Sequence, residues 1–309
     1  MILCVGTTPA LQRSMRFASL TVDEVNRATE VVETAAGKGI NVARVLHLLG
    51  HEMLATGFVG GDSGSFIRRE MDREGIPHRF INVPFPTRTC ITVIDEQHKT
   101  TTELVEESQV VAEQYWGELK ALVAEEIGRC GALVLSGALP PQAPQDFYAN
   151  CCRMANEAHV PVIMDTRGQP LALAMPHRPL MVKPNRDELA STFGLDVSGD
   201  EQLKSAVRRL IAMGAQSALI TMGAAGAVFC AGGDFQLIAA PTVKRVNAIG
   251  SGDSVAAGFV AGVVQKLPLL QCAILGIACG AANAMTATPG MVHPADVERL
   301  AGEIRVRTF

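Results

Sequence analysis

The residues with the clearest chemical potential lie between Asn247 and Phe259, where Gly250-Ser251-Gly252-Asp253 precedes an apolar run of helical length. A Gly-x-Gly turn that leads into a helix leaves several backbone N–H groups unpaired. Because the helix dipole adds partial positive charge there, the turn is suited to bind an anion. Asp253 is then either a helix N-cap or a general base beside a phosphoryl group. Short glycine motifs are weak evidence, so both interpretations stay open at this point.

A second glycine turn, Gly37-Lys38-Gly39, also opens a helix and is followed by Asn41. The glycines let a ligand approach the backbone, Lys38 offers a positive charge, and Asn41 can bond two hydroxyls at once. The turn is not a Walker A loop, because Lys38 is followed by Gly rather than Ser or Thr. The alternative interpretation is a loop that only needs a flexible backbone.

Three weaker signals follow strand-like runs or open a hairpin. Asn185 and Glu188, three residues apart at a helix start, offer oxygen ligands that suit Mg²⁺, although a capping box explains the same spacing. The glycine-rich segment 221–227 indicates either a hairpin or a backbone surface against nucleotide phosphates. Arg88 opens a hairpin-like segment, where it could clamp a phosphate, although a lone Arg is most often solvated.

Short β-type runs alternate with helical stretches, and most of these motifs directly follow a run. The runs are 2–5, 54–59, 133–136, 162–165, 180–183 and 219–222, and the helical stretches are 39–49, 63–74, 143–158, 186–193 and 201–213. This alternation predicts an α/β fold, with a mainly parallel sheet covered by helices on both faces. In such sheets ligands bind beyond the carboxyl ends of the strands.

Two segments interrupt this alternation. Residues 13–32 are polar and strand-like, and residues 88–103 have the pattern of a hairpin. We expect both to form a small antiparallel β lid, made of about 10–34 and 86–104, on a single domain that spans 1–309. No long linker, low-complexity tract or repeat divides the chain.

Composition excludes several classes of partner. The 309 residues carry a formal net charge of −4, with one Trp, two Tyr and no basic run, which argues against nucleic acid. The eight Cys form no C-x-x-C pair, which indicates reduced thiols in the cytoplasm. The N-terminus lacks a signal-peptide pattern, and the most apolar stretches are too short or too rich in Gly and Ala to span a membrane. We therefore expect a cytoplasmic protein without a membrane partner.

Taken together, these stretches resemble the ribokinase-like sugar kinases of the PfkB family over the length of the chain. Residues 36–41, with Gly50 and Gly60, resemble the first family signature, and residues 247–259 resemble the second. The phosphosugar branch, which comprises 1-phosphofructokinase, tagatose-6-phosphate kinase and the minor 6-phosphofructokinase, is the most similar. That likeness comes from residues 8–11, 37–45, 87–89, 102–103, 135–141 and 183–185. The resemblance implies a three-layer α/β/α sandwich with an antiparallel β lid.

The resemblance also implies roles for individual residues. Asp253 would take the proton of the attacking hydroxyl, while the N–H groups of Gly250, Ser251 and Gly252 stabilise the transferring phosphoryl group. ATP would be bound by Lys183, Asn185, Thr221, Gly223, Gly226 and Asn283, and Mg²⁺ by Asn185 and Glu188, mainly through water. The sugar phosphate would be bound by Gln12, Gly37, Lys38, Gly39, Asn41, Arg88, Glu103 and Ser136, with Arg88 on its phosphate. The lid would exclude water and form the contact of a homodimer.

Three positions depart from the phosphosugar branch. Gln12 replaces its usual Asp, Val105 its usual Asn, and Arg167 its usual Ser. These changes bear on the acceptor and leave the Asp253 chemistry intact, so the leading hypothesis is an ATP-dependent kinase of a phosphorylated ketohexose. One alternative is a kinase of an unphosphorylated sugar or a nucleoside, which Arg88 and Lys38 disfavour. The other is a non-catalytic nucleotide or sugar-phosphate binder, which Gln12 favours and the intact 250–253 turn disfavours.

Overall fold

The computed structural model describes residues 1–309. Its fifteen strands are β1 Ile2–Val5, β2 Ala10–Phe17, β3 Glu30–Ala36, β4 Met53–Thr56, β5 Phe58–Val59, β6 Ile81–Asn82, β7 Thr89–Asp95, β8 Thr100–Val105, β9 Ala132–Ser136, β10 Val162–Asp165, β11 Met181–Val182, β12 Ser217–Thr221, β13 Ala227–Ala231, β14 Asp234–Ile238 and β15 Val306–Thr308. Its ten helices are α1 Lys38–Leu48, α2 Gly61–Glu74, α3 Glu113–Ile127, α4 Phe147–Glu157, α5 Gln169–Ala174, α6 Arg186–Phe193, α7 Asp200–Met213, α8 Ser251–Val264, α9 Leu269–Ala284 and α10 Pro294–Glu303.

Nine strands form the central sheet, in the order β15-β14-β13-β12-β11-β10-β9-β1-β4. All pairs from β12 to β4 are parallel, and β13, β14 and β15 add antiparallel pairs at one edge. Every residue of β1, β9 and β10 is buried, as is typical of parallel strands covered on both faces. The predicted, mainly parallel sheet is confirmed.

One helical layer lies on each face of this sheet. In β1, Ile2 and Cys4 belong to a core shared with α1, α8 and α9, whereas Leu3 and Val5 belong to a core shared with α3, α4 and α7. Because successive side chains point to opposite faces of a strand, one strand contributes to both cores. The result is the expected three-layer α/β/α sandwich.

A separate four-stranded sheet, in the order β3-β2-β7-β8, forms the lid. Its two hairpins, β2–β3 and β7–β8, are antiparallel as expected. They join through a parallel pair between β2 and β7, in which Gln12 lies opposite Cys90. The predicted run 13–32 is interrupted by a loop between Phe17 and Glu30. The lid strands therefore begin and end within a few residues of the sequence-based limits.

Several element boundaries differ from those expected. The predicted strand 54–59 is divided at Gly57, where φ is 158° and a Cβ atom would lie 2.0 Å from the carbonyl oxygen of Gly6. The predicted helix 143–158 begins only at Phe147, after a proline-rich turn. The eight cysteines are free thiols, and all except Cys130 are buried. None of the ten helices combines the length and apolar character that crossing a bilayer requires.

Candidate active site

The glycine turn before α8 has the geometry of an anion site. Gly250 is the N-cap, with φ of 80°, and a Cβ atom there would lie 2.8 Å from the backbone nitrogen of Gly290. Only glycine fits both the left-handed backbone and this close approach. The Ser251 N–H donates to the carbonyl of Ala248, whereas those of Gly252 and Asp253 have no acceptor. These two free N–H groups, at a helix N-terminus, are suited to bind a phosphoryl oxygen.

Asp253 lies in the first turn of α8, almost fully buried, and is held by two side chains. The Asn41 amide donates to its Oδ2 over 2.7 Å, and the Lys38 ammonium lies 3.6 Å from its Oδ1. Burial raises the pKa of Asp253 and the charge of Asp165 raises it further, while Lys38, the Asn41 bond and Lys183 oppose this shift. A carboxylate with a raised pKa is a stronger base than an exposed one.

Asp165, at the end of β10, connects the two lysines of the site. Its Oδ2 lies 3.0 Å from the Lys38 ammonium, and its Oδ1 lies 3.1 Å from that of Lys183. Burial alone would raise the pKa of Asp165, but the two ammonium groups hold it below its ordinary value. In turn, the carboxylates of Asp165 and Asp253 keep the pKa of Lys38 above its ordinary value, although partial desolvation of the ammonium opposes this shift. Asp165 was not among the predicted site residues, although its place at a strand's carboxyl end was a usable signal.

The larger cavity of the site, about 570 Å³, lies between the 221–226 turn and α8. Nine of the site residues predicted from the sequence line it: Lys38, Lys183, Asn185, Glu188, Thr221, Gly223, Gly226, Ser251 and Gly252. The 221–226 segment is a hairpin between β12 and β13, as one interpretation of it predicted, and it also lines this cavity. Arg245, which the sequence analysis did not single out, also lines this cavity.

Asn185 and Glu188 form a complete capping box at the start of α6. The Asn185 side chain accepts from the Glu188 N–H over 2.8 Å, and Glu188 Oε2 accepts from the Asn185 N–H over 2.9 Å. The structural interpretation of this spacing is therefore correct. Because one Glu188 oxygen stays free and both residues line the larger cavity, the pair still fits a divalent cation that keeps most of its water.

A smaller cavity of about 260 Å³ adjoins the larger one, and both are lined by Lys38 and Glu188. Two guanidinium groups line it, those of Arg88 and Arg167. Arg88 donates to three backbone carbonyls, at Pro9, Glu106 and Thr8, over 3.4, 3.2 and 3.0 Å. Arg167 makes no hydrogen bond or ion pair. The Lys38 side chain therefore lies at the junction of the two cavities.

The inner face of the lid carries Gln12, Thr92 and Glu103. Thr92 lies opposite Glu103, and Gln12, which lies opposite Cys90, is diagonal to Thr92 on the same face. Gln12 is buried, and its amide donates to the Thr92 hydroxyl over 2.7 Å. Partial burial raises the pKa of Glu103, the charge of Asp253 adds to the shift, and Arg88 opposes it. Gln12 and Glu103 therefore face the site, but neither lines the smaller cavity.

Some predicted residues lie behind the cavities rather than in their walls. Asn283 is buried, and its amide donates to Ile249 and Ser251 and accepts from the Gly290 N–H, so it supports the anion turn instead of contacting a nucleotide. Ser136 is also buried, with a hydroxyl that has no partner. Gly37 and Gly39 lie beside Ser136 under Lys38 and shape the backbone there.

A buried carboxylate lies beside Lys38, a side chain that lines both adjoining cavities, and beside the free N–H groups of a helix start. On an α/β/α sandwich, this arrangement is suited to phosphoryl transfer. The sequence places the chain more narrowly. It belongs to the pfkB family of carbohydrate kinases, whose profile matches residues 1–291. The chain is therefore an ATP-dependent sugar kinase.

Solved structures agree with this assignment. A Thermotoga maritima protein described as a "possible 1-phosphofructokinase" is 25% identical, with a TM-score of 0.92 over 100% of this chain and 99% of that one. Phosphofructokinase-2 of Escherichia coli, in complex with fructose-6-phosphate, is 22% identical, with a TM-score of 0.88 over 98% of both chains. Ribokinase of Arabidopsis thaliana, in complex with ribose and ATP, is 18% identical, with a TM-score of 0.77 over 97% of this chain and 98% of that one. The ribokinase-like fold and the likeness to the phosphosugar branch are both confirmed.

Proposed function

We propose that this kinase transfers the terminal phosphoryl group of ATP to a hydroxyl of a phosphorylated ketohexose. Candidate acceptors are fructose 1-phosphate, fructose 6-phosphate and tagatose 6-phosphate. The observation that carries the proposal is the meeting of the two cavities at Lys38, whose ammonium lies 3.6 Å from the buried Asp253 carboxylate. A hydroxyl in the smaller cavity and a phosphoryl group in the larger one would meet above this carboxylate.

Asp253 would act as the base that accepts the proton of the attacking hydroxyl. Its burial raises its pKa, and the amide of Asn41 orients its carboxylate. The free N–H groups of Gly252 and Asp253 would stabilise the charge of the transferring phosphoryl group. Lys183 would add to this effect, since a Cβ atom on Gly252 would lie only 3.3 Å from the Lys183 ammonium.

ATP would occupy the larger cavity. Its volume of about 570 Å³ suits a nucleotide, and the backbone at Gly223, where a Cβ atom would meet open space, allows close approach of phosphates. Arg245 and Lys183 supply positive charge on its walls. Mg²⁺ would neutralise phosphate charge when bound; Glu188 and Asn185 would hold it mainly through water, because their capping bonds leave them few free oxygen sites.

The acceptor would occupy the smaller cavity, with its phosphate near Arg88 and Arg167. Guanidinium groups bind phosphate through charge-assisted hydrogen bonds, and an unphosphorylated sugar would leave both unused. Two of the structural neighbours are described as phosphofructokinases, one of them in complex with fructose-6-phosphate. Closure of the lid over this cavity would exclude water, which otherwise competes as phosphoryl acceptor.

The deciding measurement is ADP release from Mg-ATP with a panel of acceptors. The panel contains fructose 1-phosphate, fructose 6-phosphate, tagatose 6-phosphate, fructose, ribose and a nucleoside. We expect strong turnover with one phosphosugar and little with its unphosphorylated counterpart. Turnover with only unphosphorylated compounds would reject the phosphosugar assignment, and ATP binding without any turnover would favour a binding protein.

We further propose that the lid, within one domain of residues 1–309, forms the contact of a homodimer. Its outer face carries Met15, Val31, Ile91, Val93 and Leu104 in register, and Val31 and Leu104 are 46% and 54% exposed. Apolar side chains grouped on an exposed sheet face are typical of an interface. Light scattering should give the mass of a dimer for the native chain and a monomer for Val93→Glu. A monomeric native chain at micromolar concentration would reject this contact.

A further inference from the structure

Arg44, on α1, is one of the largest side chains that the fold buries completely, with 1% of its surface exposed. Its Nε donates to Glu74 over 2.6 Å, and its Nη2 donates to Glu74 and to the carbonyl of Ala35 over 3.1 and 2.7 Å. Its Nη1 donates to the carbonyl of Pro289 over 3.3 Å. One guanidinium group therefore connects three segments that are far apart in the chain.

The bond to Ala35 fixes the base of the lid on the acceptor side. Ala35 is the next-to-last residue of β3, a lid strand, and only Ala36 separates it from the Gly37-Lys38 turn. Gly37, with φ of 111°, is the N-cap of α1, which also carries Arg44. A shift of the Ala35 carbonyl would therefore move both the end of the lid strand β3 and the backbone that carries the Lys38 side chain.

The bond to Pro289 fixes a loop that supports the anion turn. A Cβ atom on Gly250 would lie 3.1 Å from the Cα of Pro289 and 2.8 Å from the backbone nitrogen of Gly290. The Gly290 N–H donates to Asn283, which also donates to the carbonyl of Ile249. Because the loop and the turn are in direct contact and share Asn283, a shift of the loop would shift the anion turn.

We propose that Arg44 is a positioning residue that sets the distance between the Gly37-Lys38 turn and the 250–252 turn. This proposal rests on the proposed kinase mechanism, in which a hydroxyl held at the first turn attacks a phosphoryl group held at the second. Phosphoryl transfer depends on placing these groups in line. Arg44 touches no substrate, but its loss would let the two turns separate.

The guanidinium fork is required because its acceptors lie in different directions. A lysine ammonium retains the charge opposite Glu74 but cannot reach Glu74 and both carbonyls at once. In contrast, Glu74→Gln leaves the two carbonyl bonds of Arg44 intact and still provides an oxygen for Nε. The two substitutions therefore separate the role in stability, which both weaken, from the role in positioning, which only Arg44→Lys removes.

The test compares Arg44→Lys with the matched control Glu74→Gln, at a temperature where circular dichroism shows both to be folded. We expect kcat to fall about 100-fold in Arg44→Lys, the loss typical of a 1 Å misplacement, with little change in the KM for ATP. Glu74→Gln should keep kcat near that of the native chain even though its Tm falls. Equal kcat in the two variants would overturn the proposal and leave Arg44 a stabilising residue only.

A second measurement does not depend on turnover or on a variant that folds. Native-state hydrogen exchange on the unaltered chain should show residues 35–39 and 286–291 opening together, with one opening free energy and one denaturant dependence. Separate openings would overturn the coupling, whether or not Arg44→Lys folds. If the acceptor panel shows no turnover, the proposed function fails, but exchange still decides the role of Arg44.

Discussion

The lysine–carboxylate network below the transfer position and the inner face of the lid form two walls of one site, but they differ in construction. In the network, Asp165 and Lys183 have side chains that are 2% and 3% exposed, and both Asp165 oxygens are paired. On the lid, the Gln12 side chain makes a single hydrogen bond, to Thr92, and Val105 is 52% exposed. The side chains of the network are each held by several partners, whereas those on the inner face of the lid have few.

This difference shows where the molecule tolerates change. Asp165 and Lys183 form a buried ion pair, so replacing either one leaves the other charge buried and uncompensated, which is costly. The three departures from the phosphosugar branch, Gln12, Val105 and Arg167, all lie on the lid or at the acceptor cavity. A replacement in the network therefore costs stability, whereas a replacement at these three positions breaks no buried ion pair.

The largest expected effect follows from Asp253→Asn, which tests the network wall. Loss of the base should lower kcat by about 10²–10⁴-fold and leave ATP affinity nearly unchanged. Because burial raises the folded-state pKa of Asp253, its ionised form opposes folding at neutral pH. The neutral amide should therefore keep or raise the Tm. Steady-state kinetics and a melting curve test both points; near-native kcat would remove Asp253 from the base role.

Asp165→Asn should have the next largest effect, and it acts on stability. It leaves Lys183 buried without its carboxylate partner, a loss of about 3–5 kcal/mol for a buried pair. The two lysines hold the pKa of Asp165 below its ordinary value, so its stabilisation is present above the unfolded-state pKa and is lost as pH falls through the folded one.

Urea unfolding at several pH values checks this prediction for Asp165. The native chain should lose stability in acid more steeply than Asp165→Asn, which lacks the titrating group. Asp234→Asn is a matched control, because that carboxylate is exposed and makes no side-chain hydrogen bond or ion pair. Parallel acid slopes in the native chain and Asp165→Asn would show that the buried pairing contributes little.

The two walls also differ in how far the sequence predicts them. The 250–253 turn is local, and the predicted glycine turn at a helix start is present, with Gly250 as the N-cap. The free N–H groups are those of Gly252 and Asp253, whereas the Ser251 N–H, which was also expected to bind the phosphoryl group, donates to Ala248. β10 and α6 were predicted within one residue, because their apolar periodicity and capping residues lie inside each segment. Local patterns of this kind are sufficient where the contacts that determine a structure are close in the chain.

Contacts between side chains that are far apart in the chain could not be predicted from the sequence. The bonds of Asp165 to Lys38 and Lys183 join β10 to residues 127 and 18 positions away, and the sheet order brings them together. For the same reason, Asn283 and Ser136 carry the residue types of a binding site but lie behind it. Whether a polar side chain faces the ligand or supports a turn depends on packing between distant segments.

Substitutions of the two arginines in the smaller cavity test whether both bind the acceptor phosphate. Arg88 is held by three backbone carbonyls, whereas the Arg167 side chain has no partner. Arg88→Ala should raise the KM for the phosphosugar far more than that for ATP. It should also lower the Tm, since three backbone carbonyls lose their donor. Arg167→Ser should raise the phosphosugar KM without a change in Tm, because Arg167 has no intramolecular partner. Equal effects on both substrates would exclude a role in binding the acceptor phosphate.

The smallest expected effect concerns Gln12, on the lid. If its amide contacts the acceptor, Gln12→Ala should raise the acceptor KM severalfold. The change should also cost about 1 kcal/mol of stability, because the Thr92 hydroxyl loses its partner. Thr92→Val is the matched control: it removes the same hydrogen bond but keeps the amide on the inner face of the lid. Similar KM values in the two variants would mean that Gln12 acts only by holding the lid strands together. A larger KM in Gln12→Ala alone would show that the residue replacing the branch's usual carboxylate still selects the acceptor.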